Sequence, residues 1–176
     1  MKAARTLLIR QGYQSTSTAQ IAAAAEVSEG IVFHHFGSKQ GIFLALAEEF
    51  SQAAAAATLP PDHAAVSEAW VVRQAFEFAD AHRELYDALA RAGTELNLLD
   101  VLARNDALIE VLRGKLEAAM SHGKIRIGDA EVMARLQFAL VDGAYRAWRT
   151  DGDERRKEAY IQEAASCMQA MLRPIS

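Results

Sequence analysis

The sequence predicts an all-α protein of about nine helices, and three observations point to this fold class. Alanine is abundant, whereas turn-forming residues are scarce, with 3 Pro and 10 Gly in 176 residues. Apolar residues recur at the three-to-four spacing of an amphipathic helix, and no stretch shows the alternation typical of a strand. Because alanine loses no side-chain entropy in a helix, this composition favours long helices.

The first two helices are indicated by their ends. Lys2–Gln11 has helical apolar spacing and is followed by Gly12, a residue type at which helices commonly stop. Ser17 and Gln20 then form a capping box, in which a hydroxyl and a side-chain amide satisfy each other's backbone groups. This pair predicts a short second helix over about residues 18–25.

A third short helix is predicted from the cap at Ser28 to His35, and Gly37 closes it. Isolated helices of fewer than about 12 residues are marginal in water, so the three helices must share a small core. That arrangement leaves the outer face of the third helix free. The residues expected in the core are Leu8, Ile21, Ala22, Ala25, Val27, Val32 and Phe36.

A longer fourth helix is predicted over residues 39–57, and the clearest linker of the chain follows it at Pro60 and Pro61. Helical spacing then returns over about residues 63–81, 83–92 and 104–121. Asp129 and Asp153 are placed to cap the last two helices.

Several functional classes are excluded by what the sequence lacks. No apolar stretch reaches the roughly 20 residues that span a bilayer, and no leader peptide is readable, so we expect a cytoplasmic protein with no membrane partner. The single cysteine, Cys167, is expected to be buried. No catalytic constellation, phosphate loop or metal-ligand spacing is present, and the adjacent His34 and His35 point about 100° apart on a helix. We therefore expect no enzyme activity, no cofactor and no metal.

The charge is distributed unevenly along the chain. The formal net charge is −4, yet the first forty residues carry four basic side chains against Glu26 and Glu29. The overall charge argues against a protein that mainly covers nucleic acid, and a weak basic excess is confined to the N-terminal end.

The segment from Gly12 to Leu46 carries a spread-out pattern of residue types. Its members are Gly12-Tyr13, Thr16-Ser17, Ile21-Ala22, Ala25, Val27-Ser28, Gly30, His35-Phe36, Ser38-Lys39 and Phe43. This pattern resembles the helix-turn-helix of the TetR family of transcriptional regulators. The resemblance implies a DNA-binding domain at residues 1–38, with the helix-turn-helix at about 17–36, and a ligand-binding and dimerisation domain at residues 39–176.

The resemblance also implies a function. A homodimer would bind double-stranded operator DNA through the third helix, as a transcriptional repressor released by an unidentified small-molecule effector. The residues implied in DNA binding are Ser17, Thr18, Ser28, Glu29, Gly30, Ile31, Phe33, His34 and Lys39. Among them, Ser17, Thr18, His34 and Lys39 are expected to contact the DNA backbone, and the residues from Ser28 to His34 are expected to face the base edges.

Four positions depart from the usual pattern of the family. Glu26 stands where the family usually has glycine, and a left-handed conformation there costs a non-glycine residue about 1–2 kcal/mol. Glu29 replaces a frequent lysine, and Ile31 and Phe33 replace hydroxyl-bearing residues, so phosphate affinity is expected to be weaker. Ile31 and Phe33 are suited instead to thymine methyl groups. The alternative function is therefore a helical ligand-binding or interaction dimer in which DNA binding is weakened or lost.

The remaining predicted sites lie in the second domain. The effector-binding candidates are Tyr86, Asn97, Arg104, Gln137, Asp142 and Trp148. The dimerisation candidates, suggested by the last two helices of family members, are Leu136, Leu140, Gly143, Ala144, Ala147, Ile161, Ala164 and Met168.

Overall fold

The computed structural model describes residues 1–59, 67–95 and 106–173. Within these ranges the chain forms nine α-helices and one short 3-10 turn, Glu154–Arg156, and no strand. The helices are α1 (Lys2–Gln11), α2 (Thr18–Ala24), α3 (Glu29–Phe36), α4 (Lys39–Thr58), α5 (Glu68–Ala81), α6 (Arg83–Glu95), α7 (Asp106–Ser121), α8 (Ala130–Asp151) and α9 (Lys157–Leu172). The predicted all-α class is confirmed. None of the helices in the described part of the chain is both long enough and apolar enough to cross a membrane.

The chain divides into two compact units. Unit 1 comprises Met1–Ser51 and His82–Asn105, and unit 2 comprises Gln52–Ala81 and Asp106–Ser176. The functional boundary that the sequence places between residues 38 and 39 stays a prediction, because compactness groups residues by packing and not by role.

The core of unit 1 joins the three N-terminal helices to α4 and α6. Its most buried members are Ala4, Leu8, Ile21, Ala22, Val32, Ile42, Phe43, Leu46, Leu85, Ala88, Leu89 and Ala92. Leu8, Ile21, Ala22 and Val32 are buried as predicted, and Phe36 packs against them. The prediction was wrong for Ala25 and Val27, which are exposed in the turn that follows the end of α2 at Ala24.

The centre of unit 2 is an aromatic group. The rings of Phe76 on α5 and Trp148 on α8 stack with centroids 5.9 Å apart, and Tyr145 meets Phe76 edge-on at 5.5 Å. Arg73 of α5 forms a bidentate ion pair with Glu158 of α9, with N–O distances of 2.7 and 2.6 Å. Apolar packing in the middle and a charged clamp at the surface therefore hold α5 to its neighbours.

Hydrogen bonds close the start of α8 and the end of α9. The Asp129 carboxylate accepts a hydrogen bond from the backbone N–H of Val132 at 3.1 Å, which confirms the predicted cap of α8. Arg126 donates to the carbonyls of Leu172 and Met171 at the last turn of α9. The expectation that Cys167 is buried was wrong, because it lies on the exposed side of α9.

Candidate nucleic-acid interface

The start of α2 is fixed by the capping box that the sequence predicts. The Ser17 hydroxyl oxygen accepts from the backbone N–H of Gln20 at 3.1 Å, and the Gln20 side-chain oxygen accepts from the Ser17 N–H at 2.9 Å. Gln11 of α1 also donates to that Gln20 oxygen at 3.1 Å, so α1 and α2 are linked at this end. Because the Ser17 oxygen acts as acceptor, its own proton remains to be donated outward.

The turn between α2 and α3 is built around a left-handed residue. Glu26 has φ of 56°, and the N–H groups of Glu26 and Val27 donate to the carbonyls of Ala23 and Ala22. These two bonds form a Schellman motif, whose left-handed position is usually glycine. Glu26, a non-glycine residue, therefore adopts the left-handed conformation whose energetic cost was considered from the sequence.

Helix α3 is exposed on almost its whole circumference. Ser28 caps it by accepting from the Ile31 N–H at 3.3 Å, and Val32 is its single buried residue. Since each helical residue advances about 100°, Gly30 and His34 lie opposite Val32. Glu29 and Phe33 share one flank of this outer face, and Ile31 and His35 share the other.

The exposed apolar residues of α3 are large. Ile31 and Phe33 are each 47% exposed, although burial of such side chains in a core would stabilise the fold by about 1.5–3 kcal/mol each. Such exposure on a short helix whose opposite side is packed indicates a contact surface.

Two of the residues predicted to contact DNA, Thr18 and Glu29, form a hydrogen bond with each other. The Thr18 hydroxyl, at the first residue of α2, donates to Oε1 of Glu29, at the first residue of α3, over 2.5 Å. This bond connects the N-termini of the two helices. It also uses the one proton that the Thr18 hydroxyl can donate.

The Lys39 ammonium also contacts the protein itself. It donates to the Tyr13 carbonyl at 2.8 Å and to the Gln14 carbonyl at 3.4 Å, and it lies 4.2 Å from the centre of the Tyr13 ring. The Tyr13 ring packs edge-on against Phe43 at 5.7 Å, and burial raises the pKa of the Tyr13 hydroxyl. Lys39 therefore ties the start of α4 to the turn between α1 and α2.

A glycine that sequence reasoning did not single out sets the approach of α3 to α4. A Cβ at Gly41 would lie 1.9 Å from the carbonyl oxygen of Phe36, far inside contact distance. Only glycine fits there. The available signal was an isolated glycine inside an otherwise helical pattern, which often has a packing reason.

The predicted effector candidates are dispersed. Tyr86 is half-buried in unit 1, with its ring centre 6.4 Å from that of Phe50. Gln137 and Trp148 are buried on α8 of unit 2, and Asp142 on the same helix forms an ion pair with Arg146 at 2.7 Å. Asn97 and Arg104 lie outside the described residues.

The predicted dimerisation candidates fall into two groups. Leu136, Gly143 and Ala147 are exposed on α8, and Leu140 and Ala144 beside them are half-buried. On α9, by contrast, Ile161, Ala164 and Met168 are buried inside unit 2. The α8 group is thus the part of the prediction that is accessible to a second subunit.

Known proteins resemble this chain most clearly at its N-terminus. Residues 1–46 match the family model for bacterial regulatory proteins of the tetR family. The uncharacterized HTH-type transcriptional regulator YvkB of Bacillus subtilis is 43% identical over 51 residues, which are 29% of this chain and 27% of YvkB. The HTH-type transcriptional repressor AcnR of Corynebacterium glutamicum is 39% identical over 49 residues, which are 28% of this chain and 26% of AcnR. The matched part therefore spans about a quarter of each curated relative.

The likeness of fold extends much further than the likeness of sequence. A solved structure from Shewanella sp. PV-4, assigned to the tetR family, has a TM-score of 0.71 and 19% identity, and the match covers 97% of this chain and 94% of that one. At such identity the comparison concerns the fold. Residues 1–46 thus match the tetR-family model, and nearly the whole chain has a fold similar to that of this solved structure.

Proposed function

We propose that the protein is a sequence-specific DNA-binding transcriptional regulator. The observation that carries this proposal is the exposure of α3, which is capped at Ser28, anchored in the core by Val32 and Phe36, and flanked by the capped start of α2. A helix of about 10 Å diameter fits a major groove about 12 Å wide. The match of residues 1–46 to a family of regulatory proteins also agrees with the expectation that the chain is not an enzyme.

The predicted contacts divide by the chemistry of their surroundings. Ser17 retains a hydroxyl proton for a phosphate, and the backbone of Gly30, opposite Val32, brings no side chain between the helix and the bases. His34 lies on the same outer line as Gly30. The Lys39 ammonium has three N–H donors. Two of them bind the Tyr13 and Gln14 carbonyls, and the third is available for a phosphate.

The regulator is proposed to act as a homodimer through the exposed side of α8. Leu136 is 51% exposed, and Val132, one turn before it, is also 51% exposed, so the apolar stripe is longer than predicted. The small residues Gly143, Ala144 and Ala147 continue it and allow close approach of a second helix. Two-fold symmetry would then present two α3 helices to two half-sites of an operator.

Repression with release by a small molecule is the proposed mode of regulation. AcnR, one of the relatives, is a transcriptional repressor. An effector that binds the DNA-free state better than the DNA-bound state lowers DNA affinity, and DNA lowers effector affinity by the same factor. The effector candidates in the described part of the chain stay Tyr86, Gln137, Asp142 and Trp148.

A gel-shift titration of the full chain on the DNA flanking its own gene tests the proposal. The expected result is a bound species at low salt without added ligand, whose affinity falls steeply as salt rises. Absence of any bound species at low salt would reject DNA binding. It would favour the alternative, a helical ligand-binding or interaction dimer in which DNA binding is weakened or lost.

Replacement of Gly30 by alanine sharpens this test. The new Cβ would meet only the Ser28 hydroxyl, at 3.8 Å, so the fold accommodates it. We expect DNA affinity to fall about tenfold, the loss typical of one disrupted base contact, while helix content is unchanged. Gly114→Ala is the matched control, because its added Cβ meets nothing within 4 Å on α7 of unit 2 and is expected to leave DNA affinity intact.

A further inference from the structure

We propose that Glu29 is a specificity-determining residue that reads the exocyclic amino group of a cytosine in each operator half-site. The inference rests on the proposed function, since it names the base chemistry that the exposed face of α3 recognises. It does not follow from the family pattern, in which this position is frequently a lysine.

The position of Glu29 is held before any DNA arrives. Its side chain is exposed at the first turn of α3, and its Oε1 accepts the Thr18 hydroxyl proton over 2.5 Å. A free glutamate would lose rotamer entropy when it bound a base, whereas this bond orients the carboxylate in advance. In the described part of the chain the second oxygen, Oε2, accepts no hydrogen bond and is left for a partner outside the protein.

The chemistry of a carboxylate selects among the four bases. An ionised carboxylate is an acceptor only. Guanine and thymine present acceptors in the major groove, and adenine presents an amino group beside the acceptor N7. Cytosine presents the N4 amino donor without an adjacent acceptor, and it is therefore the base that a carboxylate tolerates and binds.

The rest of α3 supports the same reading. The helix, whose sequence is EGIVFHHF, contains no arginine or lysine to read guanine and no asparagine or glutamine to read adenine. Phe33 lies one turn after Glu29 on the same flank and is 47% exposed, so an apolar contact adjoins the carboxylate. Thymine methyl groups next to the cytosine are the complement of that contact.

Glu29 also has a structural role, which by itself would give no base preference. A carboxylate at the first turn of a helix is favourable because the helix N-terminus carries partial positive charge. The specificity role adds a penalty, because a negative group in the groove repels every sequence that offers it acceptors. The two roles are separated by base preference and not by affinity.

The test is a selection of bound duplexes from a library with randomised base pairs, carried out with the full chain at constant salt. The wild-type protein is expected to enrich a two-fold symmetric motif with a fixed cytosine in each half-site. Glu29→Ala is expected to lower the preference at that one position about tenfold and to leave the rest of the motif intact. Glu29→Gln keeps an acceptor for Thr18 and is expected to move the preference from cytosine to adenine.

Glu26→Gln is the matched control. It removes one negative charge from the same unit, at an exposed residue of the turn before α3, and is expected to leave the motif unchanged. Circular dichroism checks that each variant is folded. If Glu29→Ala does not fold, the base preference of Glu29→Gln decides the question.

The outcomes separate the inference from the proposed function. A wild-type motif without the fixed cytosine, or an identical motif for wild type and Glu29→Gln, would overturn the role of Glu29 and leave DNA binding standing. If the wild-type protein enriches no motif at all, the proposed function itself is rejected.

Discussion

Unit 1 and unit 2 are both helical, but different kinds of constraint shape them. In unit 1 particular residue types are required at single positions, such as the Ser17 cap, the left-handed turn at Glu26 and the close approach at Gly41. In unit 2 such positions lie further apart along the chain, as at the Asp129 cap, and the packing around Phe76 and Trp148 requires apolar groups of suitable size. Positions that tolerate few residue types leave a recognisable sequence motif, whereas a packed apolar core can be built from many different sequences. This is why the N-terminal quarter is recognisable by sequence and the remainder by fold.

The strongest test of this difference compares two helical glycines. Gly41→Ala places a Cβ 1.9 Å from the Phe36 carbonyl, a backbone atom that cannot move aside freely, so we expect unit 1 to lose about 3 kcal/mol of stability. Gly114→Ala on α7 meets nothing within 4 Å and is expected to stabilise the protein by about 0.8–1 kcal/mol through helix propensity. Urea unfolding of both variants measures the contrast. Equal effects would contradict the view that unit 1 is constrained at this position.

How far the sequence predicts the molecule follows from the same difference. Helix caps are local, so Ser17, Ser28 and Asp129 identified their helices correctly. The contact of Gly41 with Phe36 depends on how α3 and α4 meet. The exposure of Val27 depends on where α2 ends. Neither is encoded in apolar spacing.

The predicted site shows the same division. The sequence identified Thr18 and Glu29 separately, but it gave no indication that they bind each other, because eleven positions separate them along the chain. On α9 it identified the apolar stripe without indicating which side faces the core of the subunit. Burial of Ile161 and Met168 depends on the tertiary packing of α9.

The contact of Lys39 with the turn after α1 gives the next largest effect. Lys39→Met removes charge-assisted hydrogen bonds to the Tyr13 and Gln14 carbonyls, and we expect unit 1 to lose about 2 kcal/mol. If the third ammonium proton also binds a phosphate, the slope of log affinity against log salt falls by about one. Lys2→Met, at the exposed start of α1, controls for loss of charge. An unchanged unfolding midpoint for Lys39→Met would contradict the structural role.

The turn at Glu26 allows a smaller change in the opposite direction. Glu26→Gly relieves a left-handed conformation at φ 56°, while glycine makes the unfolded chain more flexible, so we expect a net gain of about 0.5–1 kcal/mol. Glu26→Gln removes the charge and keeps the strain, so thermal unfolding should show no comparable gain for it. If both variants are more stable than the wild type, the gain comes from the loss of charge, and residue 26 is then no example of a position that favours one residue type.

The ion pair between α5 and α9 tests how far unit 2 depends on a single polar contact. The hydrogen bonds from Arg73 lower the pKa of Glu158 from 4.5 to about 2. A carboxyl group whose pKa is lowered by folding contributes stability above its unfolded pKa, and that contribution is lost as the pH falls from about 4.5 towards 2.

In urea unfolding between pH 5 and 3, Glu158→Gln should therefore lose less stability than the wild type. Because both side chains are exposed to solvent, the difference should be small and should diminish at high salt. The control is Glu163→Gln, which removes an exposed carboxylate of the same helix that takes no part in the Arg73–Glu158 pair. A loss of stability from Glu158→Gln at neutral pH as large as that expected from Gly41→Ala would show that unit 2 too depends on a single position.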